Sequence, residues 1–336
     1  MPKEIGGYFS LELSQGEEFH KNAIHLNSGR AALQYILKAK GYQKIYLPAY
    51  ICDSVLTPLH AESVRYEYYP INANFEPVFD KDIGNDDAFL YVNYFGINDQ
   101  NVKDVIAHYQ NVIVDNTQAF YSPPELGIDT FYSARKFFGV ADGAYLYTDI
   151  ELNTPLEVDV SYERMAHLLI RHDLSASAGY ALFRKNDENI DTSGLKTMSR
   201  LTQAILSSVD YKKCEQIRRR NYLYLHTSLQ DVNQLELPDL KTQTPMIYPF
   251  WVEDGFHLKQ KLIEEEIYVA TYWPEVKLRN NAPSLECSLV DNLVPLPIDQ
   301  RYTLSDMQRI VAVIENWLAQ RGYKPRNQLL PNKHNY

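Results

Sequence analysis

In Asn111-Val112-Ile113-Val114-Asp115 and, further on, Phe131-Tyr132-Ser133-Ala134-Arg135-Lys136-Phe137-Phe138-Gly139, an aspartate ends a short apolar run and a lysine sits in an aromatic loop. An apolar run of this length reads as a buried strand of a parallel sheet, and ligands of such sheets bind beyond the strands' carboxyl ends, where Asp115 falls. Phe137 and Phe138 can crowd the Lys136 amine and lower its pKa, and the turn Asp142-Gly143 leads into a further strand at 143–147. Upstream, Asn27-Ser28-Gly29-Arg30 opens a helix, whose first backbone N–H groups form an anion site. The order along the chain is therefore anion turn, strand-end carboxylate, loop lysine.

The flanking sequence alternates strands with helices. Residues 31–40 carry Leu33, Ile36 and Leu37 on one helical face, with Asn27 or Ser28 available as N-cap, two lysines near the end and Gly41 as the stop. Strands are expected at 44–47, 64–68, 88–95 and 111–114, with a helix over 102–109 between the last two. Strands separated by helices imply parallel crossover units. Beyond 147 the pattern predicts helices at 163–171 and 196–221, then strand, helix, strand at 249–252, 258–266 and 267–270, and a last amphipathic helix over 301–321. The expected class is α/β, with a mostly parallel central sheet flanked by helices. The expected partition is a large domain over 1–210, a smaller α+β C-terminal domain over 211–323, and a polar tail, 324–336, that frays.

At 336 residues, 45% hydrophobic and 23% charged, the chain has the composition of an ordinary globular protein. Its net charge of −10 argues against a nucleic-acid or anionic-membrane partner, and Arg218-Arg219-Arg220 reads as a solvated or ion-paired helix face. Three widely spaced cysteines, Cys52, Cys214 and Cys287, suit a reducing compartment better than a disulfide framework or zinc site. No apolar signal core opens the sequence and no segment approaches the roughly 20 apolar residues of a membrane span, so a cytoplasmic location is expected. His20, His25, His60, His108, His172 and His257 lack metal-ligand spacing, and no metal is expected. Dinucleotide, P-loop and serine-hydrolase fingerprints are missing.

Taken singly, Asp115 reads as a cap for the turn Asn116-Thr117, Lys136 as a solvated lysine and Ser28-Gly29 as an N-cap. Together they fit pyridoxal 5'-phosphate (PLP) chemistry, which needs an amine to hold the cofactor aldehyde, a carboxylate to keep its ring nitrogen protonated and N–H donors for its phosphate. In that reading Lys136 and Asp115 are catalytic. Gln118 can reach the ring hydroxyl, Arg30 adds a cationic fork at the phosphate, and Ser133 adds a hydroxyl.

Several segments resemble the sugar aminotransferases often called the DegT/DnrJ/EryC1/StrS family, of the PLP transferase fold type I. Ser28-Gly29-Arg30-Ala31-Ala32-Leu33 is similar to the family's S-G-T-x-A-L turn, Leu47-Pro48-Ala49-Tyr50 to its P-A strand end, and Val92-Asn93-Tyr94-Phe95-Gly96 to its V-H-x-Y-G segment. Val114-Asp115-Asn116-Thr117-Gln118-Ala119 is similar to its E-D-x-A-Q-A, and Ser133-Ala134-Arg135-Lys136 with Asp142-Gly143 to its lysine loop. The resemblance implies ring-nitrogen, ring-hydroxyl, phosphate and Schiff-base roles for Asp115, Gln118, Ser133 and Lys136. It also implies an amino-acid donor such as glutamate, a nucleotide-linked keto-sugar as acceptor, surface-polysaccharide or related amino-sugar biosynthesis, and a homodimer.

The sequence reads as a divergent member of the resembled family. Arg30 replaces a threonine, and the lysine loop is shorter. Cys52 stands where an aromatic stacks on the ring, with Tyr50 or Tyr94 as substitutes, and Leu195 stands near the place of a partner-subunit asparagine. Tyr272 and Trp273 are either a sugar or base platform or C-terminal core. A PLP-dependent sugar dehydratase, in which histidine usually replaces the lysine, and a non-catalytic sugar-nucleotide-binding or scaffold protein are the competing readings.

Overall fold

The computed structural model describes residues 5–322 except 239 and 241; the tail 324–336 lies outside the described residues. The N-terminal part runs β1 (Ile24–Leu26), α1 (Gly29–Lys40), β2 (Lys44–Pro48), α2 (Leu56–Ala61), β3 (Arg65–Tyr69), β4 (Asp87–Val92), α3 (Asp99–His108), β5 (Val112–Asn116), β6 (Asp129–Ser133) and β7 (Ala144–Tyr147). Helices α4 (Ala166–Asp173), α5 (Ala176–Thr192), α6 (Arg200–Ser207) and α7 (Tyr211–Leu229) follow. Then come β8 (Ile247–Trp251), α8 (Gly255–Glu264), α9 (Ser284–Asn292), β9 (Leu293–Pro297) and α10 (Leu304–Gln320).

Among the described residues the central sheet has seven strands in the order β1-β7-β6-β5-β4-β2-β3. Its β3, β2, β4, β5 and β6 pair in parallel, and β7 and β1 close one edge antiparallel. β4 and β5 are buried along nearly their whole length, as in a parallel sheet covered on both faces. Central β5 pairs Asp115 with Val92 on one side and Phe131 on the other, which fixes the carboxylate at the carboxyl end of the middle of the sheet.

α1 starts where Ser28, not Asn27, accepts the Ala31 N–H, and stops at Gly41, whose φ of 70° suits a residue without Cβ. A separate antiparallel pair, β8 with β9, packs among α7 to α10.

Four local expectations differ from the structure. The apolar run 88–95 leaves the sheet after Val92 and turns at Tyr94–Gly96, with Gly96 at φ 70°. A helix over 196–221 is instead α6 and α7, each with its own N-cap, Ser199 and Asp210. Residues 267–270 form no strand: the Ile267 N–H bonds the Leu262 carbonyl past the end of α8, and no neighbouring strand takes up the rest. Arg218 is not on a solvated face but fully buried.

Candidate active site

The end of β5, the start of α1 and the turn after β6 meet at one place. Gly29 allows the approach, since a Cβ there would lie 3.1 Å from the Thr117 methyl and 3.8 Å from the Phe131 ring. Asn27 links the same elements, its carbonyl accepting the Gly143 N–H at 2.7 Å and its side-chain amide donating to the Ser193 hydroxyl and Gly194 carbonyl. Ser133 ends β6, buried, just before the turn that carries Lys136.

Lys136 lies in the turn after β6 with its side chain exposed. Its Nζ donates to the Thr117 hydroxyl at 2.9 Å. The surrounding protein draws the amine below the ordinary lysine range, Asp115 and Cys52 oppose that shift, and the cations Arg30 and Arg135 add to it. Asp115 is buried and accepts the Thr117 N–H at 2.8 Å. Burial raises its carboxyl, with Lys136 and Thr117 pulling it back.

Two guanidinium groups border the α1 N-terminus. Arg30 pairs with Asp191 at 2.7 Å and Arg135 with Asp187, two acids one turn apart on α5. Each arginine keeps a buried Nε without a protein partner. A buried donor left unpaired is costly, and one at each of two arginines near a helix N-terminus suits an anion such as a phosphate. The donors present therefore fit the phosphate group that the sequence implies.

The remaining expected residues surround this centre. Gln118 is buried and its amide oxygen accepts the Phe95 N–H at 2.9 Å. Tyr50 and Tyr94 are brought together as an offset pair with centroids 5.9 Å apart, but both are fully covered, and the Tyr94 hydroxyl is spent on the Tyr50 carbonyl at 2.8 Å. A covered ring offers no free face for stacking; Trp273, edge-on to Tyr50 at 4.6 Å, is part of that cover. Tyr272 stacks on Phe95 at 6.1 Å, and both Tyr272 and Trp273 stay partly exposed.

Residues that the sequence did not single out for this site hold it from the C-terminal side. The Phe137 carbonyl, next to Lys136, accepts from Gln300 at 2.7 Å and from Arg218 at 3.3 Å, and the Arg218 guanidinium lies over the Phe137 ring. Arg279 donates to the carbonyls of Ala49 at 2.6 Å and Ile51 at 2.7 Å, bracing the segment that carries Tyr50 and Cys52. Of these, only Arg218 stands out in the sequence, within the run Arg218-Arg219-Arg220 that reads as a solvated or ion-paired face. Among the described residues no group of His, Cys, Asp and Glu could hold a metal, and no helix is long and apolar enough to cross a membrane.

This fold is the type I fold of PLP-dependent transferases. Solved structures that share it include sugar aminotransferase CalS13 from Micromonospora echinospora, 16% identical, covering 88% of this chain and 87% of its own with a TM-score of 0.60. A DegT DnrJ EryC1 StrS aminotransferase from Brucella abortus is 14% identical over 88% of this chain and 85% of its own, with a TM-score of 0.59. The E. coli GDP-4-keto-6-deoxy-D-mannose-3-dehydratase with bound hydrated PLP is 16% identical over 87% of each chain, with a TM-score of 0.60. No family model matches the sequence. No curated protein matches it either.

Proposed function

We propose that this protein is a PLP-dependent aminotransferase, a divergent relative of the DegT/DnrJ/EryC1/StrS enzymes. It moves an amino group from an amino acid, most readily glutamate, to a nucleotide-linked keto-sugar in surface-polysaccharide or related amino-sugar biosynthesis. The observation that carries this reading is the grouping of Lys136, buried Asp115 and two arginines with unpartnered Nε atoms around the end of β5 and the start of α1. The fold shared with sugar aminotransferases and with a PLP-holding sugar dehydratase supports it.

When bound, PLP supplies a cationic conjugated ring that takes up the electron pair left by the donor's α-proton. Asp115 holds a proton on a basic nitrogen placed beside it, since an opposite charge at short range raises a base's pKa. Lys136, drawn below the usual lysine range, has neutral amine available to capture an aldehyde and, once freed, to carry a proton. Ser28, Gly29, Arg30, Ser133 and Arg135 bind the phosphate; Gln118 reaches the ring hydroxyl; Tyr272 and Trp273 meet the sugar or its base. The catalytic unit is a homodimer whose large domain, 1–210, holds the cofactor and whose C-terminal domain, 211–323, braces it through Arg218 and Arg279.

The test is borohydride reduction of the PLP-loaded protein followed by peptide mapping, with the label expected on Lys136. A label elsewhere with Lys136 unmodified ends the assignment. After one half-turnover with glutamate, keto-sugar nucleotides are offered beside simple 2-keto acids, and the original spectrum is expected to return only with the former. Return with 2-keto acids alone marks an amino-acid transaminase, loss of a sugar hydroxyl without amine transfer marks a dehydratase, and no PLP uptake marks a scaffold.

A further inference from the structure

Thr117 stands between the two groups on which the chemistry depends. Its hydroxyl oxygen accepts from Lys136 Nζ at 2.9 Å, and its backbone N–H donates to Asp115 Oδ1 at 2.8 Å. One residue therefore touches both groups, the amine through its hydroxyl oxygen and the carboxylate through its backbone N–H. The side chain is not free to turn away: Thr117 is buried, and its methyl group packs where a Cβ on Gly29 would come within 3.1 Å.

We propose that Thr117 is a positioning residue that holds the free amine of Lys136 at the end of β5 through its hydroxyl, while its backbone N–H holds Asp115. An alanine at this place would lack the hydroxyl that receives Lys136. The role in catalysis rests on the reading of Lys136 as the aldehyde-capturing amine, while the positioning itself belongs to the cofactor-free protein. The charged and titratable groups acting on Lys136 are Asp115 from β5, Cys52 from the segment after β2, Arg30 from α1 and Arg135 from the turn after β6. Against that background Thr117 adds a neutral acceptor that favours the ammonium form and holds it in place.

The experiment labels the cofactor-free protein with trinitrobenzenesulfonate across a pH series and follows Lys136 by peptide mapping in the wild type, Thr117→Val and Thr117→Ser. Loss of one hydrogen bond to an ammonium is expected to lower the Lys136 titration midpoint in Thr117→Val by about one pH unit. Below the midpoint, labelling then runs about tenfold faster. Thr117→Ser, which keeps the hydroxyl, is expected to titrate like the wild type. Equal midpoints in the wild type and Thr117→Val, or a Thr117→Ser midpoint displaced as far as that of Thr117→Val, would overturn the proposal. Thr117→Ala carries the same expectation should the valine variant not fold. PLP uptake is followed separately by absorbance, so that a displaced midpoint without PLP uptake sinks the functional reading and leaves the positioning of the amine supported.

Discussion

Replacing Asp115 by asparagine is expected to slow turnover by about two decades while leaving PLP occupancy within a few-fold of the wild type. Asparagine keeps the shape and an oxygen for the Thr117 N–H and removes only the charge. Asp115 and Lys136 act on each other through their charges, with Thr117 between them instead of a direct contact. At a separation of about 6 Å and an effective dielectric of about 20, unit charges interact by about 3 kcal/mol, and a cationic ring beside the same carboxylate gains a similar amount. Spent on the transition state, that is roughly a hundredfold in rate. Occupancy should be spared because the groups proposed to hold the phosphate, Arg30, Arg135 and the first N–H groups of α1, are untouched.

The assay is a single half-turnover with glutamate in a stopped-flow spectrometer, beside an equilibrium titration of PLP. The fold should not suffer. Burial raises the Asp115 carboxyl above its unfolded value, so the native state binds the extra proton and wild-type stability falls as pH rises through that window. The asparagine variant lacks this loss and should melt no lower than the wild type at pH 7. Unchanged turnover, or a loss of occupancy as large as the loss of rate, would refute the reasoning.

Arg135→Gln should weaken PLP binding at least tenfold and leave binding of unphosphorylated pyridoxal nearly unchanged, as compared by absorbance titration; equal effects on both would remove Arg135 from the phosphate site. His20, whose pKa burial pushes down to about 4, stays neutral in the native state while the unfolded chain takes up a proton near pH 6.5. Its contribution is thus fully present above about pH 6.5 and lost as pH falls toward 4, by about 3 kcal/mol, and urea midpoints at pH 7 and 4.5 should converge in His20→Gln. Gly143→Ala should cost about 1 to 3 kcal/mol in chemical denaturation, since φ is 120° there and a Cβ would come 3.0 Å from the Thr202 methyl. Sedimentation equilibrium should give a dimer at micromolar concentration, with exposed Tyr162, Leu169, Leu174 and Tyr180 offering apolar area for the contact; a monomer that carries PLP and turns over would contradict this.

The sequence was most legible where one segment alone satisfies the physics. α1 could be read from its cap, its apolar face and Gly41, and β4 and β5 from apolar runs that only a sheet covered on both faces can bury. The placement of Asp115 followed from the end of such a run. What stayed hidden depends on partners distant in the chain. Residues 267–270 have the composition of a strand but no neighbour to pair with, whereas β9 contains Pro295 and Pro297 and is a strand because β8 lies beside it.

α5 escaped notice because Tyr180 and Phe183 are partly or largely exposed, while its buried positions include Gly179 and Asn186, so no apolar stripe marks it. With α5 went Asp187 and Asp191, and without them nothing distinguishes Arg135 from a surface cation, while Arg30 stands out only through the turn that it follows. The pairing of each arginine with an acid on that helix is what leaves an Nε buried, unpartnered and near the α1 N-terminus. Arg218 shows the same dependence. Three consecutive arginines read locally as a solvated face, yet helical periodicity turns the first of them inward, where the carbonyls of Phe137, Pro245 and Met246 and the Gln300 side chain satisfy it. The two catalytic candidates could thus be found from chain order, while the groups that orient them are defined only by tertiary contacts.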